Sequence, residues 1–216
     1  AGSGVARLVY AFDDGPELVE TVTVPGAPFA LDAARAAAVQ RATRLLHLIA
    51  GVSYYKAAVP GTIRIDGYAI DAATAALLDD VYLHGLGEFA YRNGLDLRGR
   101  IRFPVDDPGG DGQASALGLR EHALVAIGGG KDSLVSIEAL RAAGIDQTVA
   151  WVGGSQLIAA CAARTGLPTL NVQRQLAPEL FEYNRQGAWN GHIPVTAINS
   201  AILAFAAVVL DADQVV

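Results

Sequence analysis

Ala123-Leu124-Val125-Ala126-Ile127-Gly128-Gly129-Gly130-Lys131-Asp132-Ser133-Leu134 decides the fold. The apolar run reads as a strand, the three glycines end it, and Lys-Asp-Ser opens a helix. A junction of this kind points bare backbone N–H groups at one spot, and the helix dipole makes that spot attractive to an anion. Towards the C-terminus the pattern alternates. A helix over about Asp132 to Ala143 ends at Gly144, and Thr148 to Val152 is the next strand. Gln156 to Arg164 is a helix closed by Gly166 and Pro168, and Thr169 to Val172 is a third strand. Short apolar strands separated by helices imply a parallel sheet with right-handed crossovers, whose ligands sit at the carboxyl ends of the strands. Gly128 to Ser133 and Gly153-Gly154-Ser155 therefore share one rim.

The loop departs from two common phosphate motifs. A Walker A loop needs glycine where Val125 stands and a hydroxyl where Asp132 stands. A dinucleotide fingerprint needs a third glycine, and Ser133 occupies that position. The glycine-glycine-x-Asp-Ser order instead resembles the pyrophosphate loop of the ATP pyrophosphatase (PP-loop) superfamily. That resemblance implies that Gly128, Gly129, Gly130 and Ser133 hold the β- and γ-phosphates of ATP. It also implies that Asp132 carries Mg²⁺ and that Lys131 adds a cation beside the leaving pyrophosphate. Gly153 becomes a candidate for lining the adenosine pocket. The plainer alternatives are a glycine turn with Asp132 or Ser133 as an ordinary N-cap, and Ser155 capping the next helix.

The 216 residues suit one or two domains with an adequate core. A net charge of −6 argues against a nucleic-acid partner, because backbone-phosphate binding depends on clustered Lys and Arg. The single Cys161 excludes an intrachain disulfide, and residues 1–20 carry no signal-peptide pattern, so the cytoplasm is the expected compartment. Ile193 to Leu210 carries no charged residue, but Pro194, Thr196, Asn199 and Ser200 crowd its start, and a buried helix is expected rather than a membrane span. The chain contains no Met and stops at Asp213-Gln214-Val215-Val216, which reads as a strand just begun, so a longer polypeptide is expected.

The overall class is α/β. An N-terminal α+β domain is expected over 1–104, a linker over 105–114, and the first part of a parallel-sheet domain over 115–216. Arg7 to Phe12 and Leu18 to Val24 read as strands about an Asp13-Asp14-Gly15-Pro16 turn. A helix over about Leu31 to Ala50 closes at Gly51. Tyr54 to Val59 and Thr62 to Ile65 read as short strands. A second helix begins at the N-cap Asp71 and runs towards Arg92 and Gly94, weakened or broken at Gly85 and Gly87. Pro104 to Gly112 cannot sustain a helix or a central strand and reads as the linker.

Three stretches narrow the resemblance: Ser53-Tyr54-Tyr55-Lys56, Gly85 to Leu95, and Trp189 to Ser200. Together they are similar to the UDP-N-acetylmuramoyl-L-alanyl-L-glutamate epimerases, the MurL family of bacterial peptidoglycan synthesis. The resemblance covers nearly the whole chain, and family members continue past its end. It implies an enzyme that inverts the terminal L-glutamate of a UDP-muramoyl dipeptide, using ATP and Mg²⁺ and releasing AMP and pyrophosphate. Adenylating the carboxylate removes the charge that otherwise makes the adjacent Cα–H a very poor acid.

A two-cysteine racemase mechanism cannot operate within this chain, and Cys161 reads as a structural thiol in an apolar helix. His192, on a glycine-proline loop, is the best visible base; shaping that loop through hydrogen bonds is its plainer role. His47 and His122 have no polar company in sequence, and His84 adjoins the Gly85 segment. Substrate candidates are Tyr55, Lys56, Glu88, Arg92, Asn93, Asn190, Thr196 and Asn199. Arg92 suits a carboxylate or phosphate, although Glu88 and Arg92, four apart on a helix, also fit a surface pair. Two other readings share the loop: an ATP-dependent amide synthetase and a non-catalytic ATP-binding module. Nothing in the sequence sets the oligomeric state.

Overall fold

The fold turns on strands that are covered on both faces. In a computed structural model, which describes residues 2–13, 15–106 and 116–216, strand β3 (Arg120–Ala126) is fully buried at Ala123, Leu124 and Val125. Side chains alternate across a strand. Ala123 and Val125 join Val149, Trp151, Ile137 and Ala162 on one face, while Leu124 joins Ala150, Leu170 and Val172 on the other. Burial on both faces is why this strand is an unbroken apolar run.

The chain order is β1 (Val5–Tyr10), β2 (Leu18–Thr23), α1 (Ala33–Ala50), α2 (Val52–Ala58), α3 (Ala72–Gly85) and α4 (Gly87–Asn93). After β3 come α5 (Lys131–Ala142), β4 (Gln147–Val152), α6 (Gln156–Arg164), β5 (Thr169–Gln175), α7 (Pro178–Arg185), α8 (Val195–Leu210) and β6 (Ala212–Val215). The sheet runs β1-β2-β5-β4-β3-β6. Strands β5, β4, β3 and β6 are parallel, whereas β2 is antiparallel to β5 and β1 to β2. The sheet is therefore mixed rather than wholly parallel. The 105–114 boundary falls largely outside the described residues, and the elements on its two sides share this one sheet through Thr21↔Gln175 and Thr23↔Gln173.

Helices α5 and α6 cover one face, and α1 and α8 cover the other. From β3 the chain steps through β4 to β5, then returns by α8 to place β6 on the opposite side of β3. The strand order reverses there, and the crevice beyond the carboxyl end of β3 is where open α/β sheets bind ligands.

Helix α8 is the uncharged segment, with Ile198, Ile202, Phe205, Ala206 and Val209 buried against the sheet and α1. Its C-terminal carbonyls are satisfied from α1: Arg35 donates to Val208 O at 3.2 Å and Val209 O at 3.1 Å, and lies 3.4 Å from Asp211. Among the described residues no helix is long and apolar enough to cross a membrane.

Two expectations are corrected. Tyr54 to Val59 is helical, not extended, because Gly51 keeps right-handed dihedrals (φ −54°, ψ −21°) and passes the chain straight from α1 into α2. Glycine is needed at that join for space: a Cβ would stand 2.8 Å from the Tyr82 hydroxyl. Thr62 to Ile65 forms no ladder, and its isoleucines pack on the core as irregular chain. The helix from Asp71 behaves as read, with the Asp71 side chain accepting from Thr74 N at 2.7 Å. It divides at Leu86 into α3 and α4, and Gly94 (φ 65°) ends it.

Candidate functional site

Two groups of residues gather at the carboxyl end of the sheet. The first is the glycine junction between β3 and α5. Gly130 is the N-cap of α5 and no side chain caps the helix, so neither Asp132 nor Ser133 takes that role. Asp132 lies in the first turn, and Ser133 Oγ donates back to Gly130 O at 3.2 Å. Gly128, Gly129, Gly130, Lys131 and Asp132 are all exposed. Gly129 has φ +84°, a conformation that favours glycine, and a Cβ at Gly128 or Gly130 would meet nothing within 4 Å. The result is an open cradle of unbonded first-turn N–H groups.

An open cradle of N–H groups with one carboxylate in the first turn is the donor set that ATP with Mg²⁺ would need. Among the described residues there is no cluster of three or more His, Cys, Asp or Glu able to hold a metal alone. Mg²⁺ bound through one carboxylate, water and substrate phosphates would need no such cluster, and Asp132 is the carboxylate in the first turn. Gly153 (φ +89°) shares the rim at the end of β4, while Ser155 caps α6 by accepting from Ile158 N at 3.4 Å.

The second group is built from side chains of three distant segments. Tyr54 Oη accepts from Ala177 N at 3.1 Å, just beyond β5, which fixes α2 at the carboxyl end of the sheet. The turn after α7 is tied to the same helix by Trp189 N donating to Ala57 O at 3.1 Å. Lys56, only 5% exposed, donates from Nζ to Asn190 Oδ1 at 2.7 Å. Asn93 Nδ2 bridges to Phe89 O at 2.8 Å and Asn190 O at 3.4 Å. Glu88 holds Arg92 Nε at 2.7 Å and stands 4.0 Å from His192 Nδ1.

Glycines permit this approach. A Cβ on Gly191 would lie 3.0 Å from Phe89 Cδ2, and one on Gly85 would lie 2.6 Å from Pro194. Of the sequence candidates, Lys56, Glu88, Arg92, Asn93, Asn190 and His192 thus come together. Thr196 and Asn199 occupy the first turns of α8, whose start follows directly on this loop. Tyr55 instead points into the core against Tyr82, with ring centroids 5.5 Å apart and its hydroxyl buried without a partner. Both Tyr54 and Tyr55 are buried, as a helix packed on two sides requires and a half-buried strand does not. Burial lowers the affinity of the Lys56 amine for its proton.

Beneath this group lies a polar layer that sequence reasoning missed. Glu20, fully buried on β2, pairs with Arg174 of β5 through Nε–Oε1 at 2.7 Å and Nη2–Oε2 at 3.2 Å. Arg174 also donates to Ser53 Oγ at 3.0 Å. Tyr10 stacks on Tyr54 at 4.1 Å and donates to His47 O at 2.8 Å. The one signal available was Glu20 in an alternating apolar strand, at a core-facing position where a carboxylate demands a buried cation.

His47 and His122 have polar partners after all. His47 Nε2 lies 2.8 Å from the Val9 carbonyl, which only accepts, so that nitrogen carries the proton and Nδ1 accepts from Tyr68 at 2.8 Å. Burial lowers the pKa of His47. His122 Nε2 meets Thr148 Oγ1 at 2.8 Å. Both partners come from other elements, invisible in the local sequence. His84 is exposed beside Asp80 at 3.8 Å, and Cys161 is half-buried against the α5–α6 cluster.

A family model described as the MurL N-terminal domain matches residues 1–216. The chain belongs to that family. It is 75% identical over 216 residues to a UDP-N-acetyl-alpha-D-muramoyl-L-alanyl-L-glutamate epimerase of Xanthomonas oryzae pv. oryzae (strain MAFF 311018), covering 100% of this chain and 48% of the relative. Proteins of the same name from Micromonospora sp. (strain ATCC 39149 / NRRL 15099 / SCC 1413) and Salinispora tropica (strain ATCC BAA-916 / DSM 44818 / JCM 13857 / NBRC 105044 / CNB-440) are each 41% identical. They cover 95% and 93% of this chain and 46% and 44% of their own lengths. The MurL N-terminal domain chain thus spans about half the length of the curated relatives it matches. No solved structure matches it.

Proposed function

We propose that this MurL N-terminal domain contributes to a cytoplasmic epimerase that inverts the terminal L-glutamate of UDP-N-acetylmuramoyl-L-alanyl-L-glutamate in peptidoglycan precursor synthesis. The observation carrying this reading is the convergence of Lys56, Asn93, Asn190, Glu88, Arg92 and His192 on the sheet end that also bears Gly128 to Ser133. ATP with Mg²⁺ supplies activation of the glutamate carboxylate by adenylation, which makes the neighbouring Cα–H acidic enough to remove.

The chain's own residues then have distinct tasks. The first-turn N–H groups of α5, with Lys131 and Ser133, bind phosphate oxygens, and Asp132 holds the metal. Arg92 and Lys56 offer cations for substrate anions, and Asn93 and Asn190 offer amides that orient the dipeptide. His192, exposed beside Glu88, would exchange a proton with Cα.

The test uses the full-length protein with the UDP-muramoyl dipeptide, ATP and Mg²⁺ in deuterated water. AMP, pyrophosphate and D-glutamate bearing deuterium at Cα are expected, and omission of ATP should stop both inversion and exchange. Asp132→Asn and Ser133→Ala should abolish turnover with the fold intact, whereas His192→Asn should lose inversion yet still release pyrophosphate. An amide product without deuterium at Cα would move the protein to the synthetases, and ATP binding without AMP release would make it a binding module.

A further inference from the structure

Lys56 carries a charge that the chain itself does not neutralise. The residue is only 5% exposed, on a helix buried from Val52 to Ala57. Among the described residues its ammonium makes one hydrogen bond, to the neutral Asn190 Oδ1 at 2.7 Å, and no ion pair. Glu88, the carboxylate of the same group, is committed to Arg92 at 2.7 Å and stands 4.0 Å from His192 Nδ1. A buried charge is ordinarily paired, and an apolar side chain of similar length would fill the same space at lower cost. An ammonium has three N–H donors, so two remain without a partner here.

Asn190 supplies the second observation. Its Oδ1 accepts from Lys56 Nζ and also from Gly191 N at 2.9 Å, which fixes the amide with its oxygen turned towards Lys56. Its backbone carbonyl accepts from Asn93 Nδ2 at 3.4 Å. Asn190 Nδ2 donates to nothing among the described residues, and Asn190 is exposed, so the buried ammonium ends directly beneath a surface side chain. What this pair leaves uncommitted is N–H donors only. Their complement only accepts, carries a negative charge and is small enough to reach a buried nitrogen: an ionised carboxylate.

We propose that Lys56 and Asn190 bind the γ-carboxylate of the substrate's terminal glutamate and so select glutamate over its uncharged analogues. The assignment rests on the epimerase reading, in which the α-carboxylate is adenylated and ceases to be an anion while the γ-carboxylate stays charged throughout. The diphosphate is the poorer occupant. Its bulk suits the fork of Arg92, whose side chain is 70% exposed, rather than a point charge beneath a loop. His192 lies two residues along the same loop, and only two methylene groups separate the γ-carboxylate from Cα. Anchoring the first therefore brings the second towards that side chain.

The experiment compares two ligands of the full-length protein: the UDP-muramoyl dipeptide ending in L-glutamate and the same molecule ending in L-glutamine. Kd is measured by calorimetry without ATP, and KM with ATP and Mg²⁺. Wild type should bind the glutamate ligand about tenfold or more tighter, the effect of one charge-assisted contact. In Lys56→Met that preference should collapse, through a weaker Kd for the glutamate ligand and a much smaller change for the glutamine one. Lys56→Arg should keep part of it. Asn190→Asp gives the ammonium a carboxylate of its own, so the glutamate preference should fall about tenfold while the urea midpoint does not, a combination that misfolding cannot mimic. If Lys56→Met loses both ligands together, Asn190→Asp decides. No preference in wild type, or a preference unchanged in the deciding variant, overturns the assignment. Failure of wild type to epimerise the glutamate substrate with ATP overturns the epimerase reading, and the Kd comparison then decides separately whether this is a carboxylate site. Binding of neither ligand by wild type removes that site.

Discussion

The glycine junction and the Lys56–Asn190 group sit on the same end of one sheet but are made differently. The junction is contiguous backbone: strand, three glycines and helix, exposed and, among the described residues, hydrogen-bonded by no remote side chain. The other group joins residues 134 apart for Lys56 and Asn190 and 97 apart for Asn93 and Asn190, over a floor of buried charge. A site made of N–H groups is cheap to read and insensitive to its surroundings. A site made of side chains depends on every element beneath it.

The sharpest way to separate the two is to break that floor. Glu20→Ala leaves the Arg174 guanidinium, 13% exposed, without its carboxylate. Removing one partner of a buried pair costs about 3–5 kcal/mol, so the urea midpoint of the full-length protein should fall accordingly. An unchanged midpoint would mean the layer bears no weight in holding α2 and β5 together.

A smaller effect comes from the contact between α3 and the loop before α8. Gly85→Ala puts a Cβ 2.6 Å from Pro194 and should cost about 1–3 kcal/mol, with a raised KM for the dipeptide substrate. Two residues on, Gly87→Ala meets nothing within 4 Å and should stabilise by about 0.4–1 kcal/mol. Equal melting temperatures for the two variants would contradict the close approach that brings Asn190 to Asn93.

Modest in stability and largest in what it discriminates is Lys56→Met. Burial lowers the Lys56 pKa below its ordinary value of 10.5, so between the folded and unfolded values the unfolded chain binds more protons. Stability from this group is therefore absent at low pH and rises as pH climbs towards 10.5. The variant should be more stable than wild type by about 1 kcal/mol at neutral pH and should lose that alkaline rise, while substrate affinity falls. That combination would follow from the proposed substrate-binding role of Lys56. Denaturation curves at pH 7 and pH 10, with KM measured alongside, check all three points.

How much was legible follows the same division. The strand starts and stops around Gly128, Gly144, Gly153 and Gly166 came directly from glycine and apolar runs. The Asp71 cap and the break near Gly85 did too, because their causes lie within four residues. Tyr54 to Val59 misled because β-branched and aromatic residues favour strands, whereas a right-handed Gly51 and packing on two sides imposed a helix. The partners of His47, His122 and Glu20 were beyond reach, since each lies on another element.

What the sequence determined by itself is therefore local: the parallel β–α units, the glycine junction before Lys131, and the uncharged character of α8. What only the tertiary structure decided is long-range. The N-terminal hairpin extends the sheet through β2 and β5, the Glu20–Arg174 pair closes over Ser53, and Lys56, Asn93 and Asn190 meet. The physical reason is that backbone conformation answers to near neighbours. Ion pairs and shared hydrogen bonds are settled only when the core brings strands and helices from opposite ends of the chain into contact.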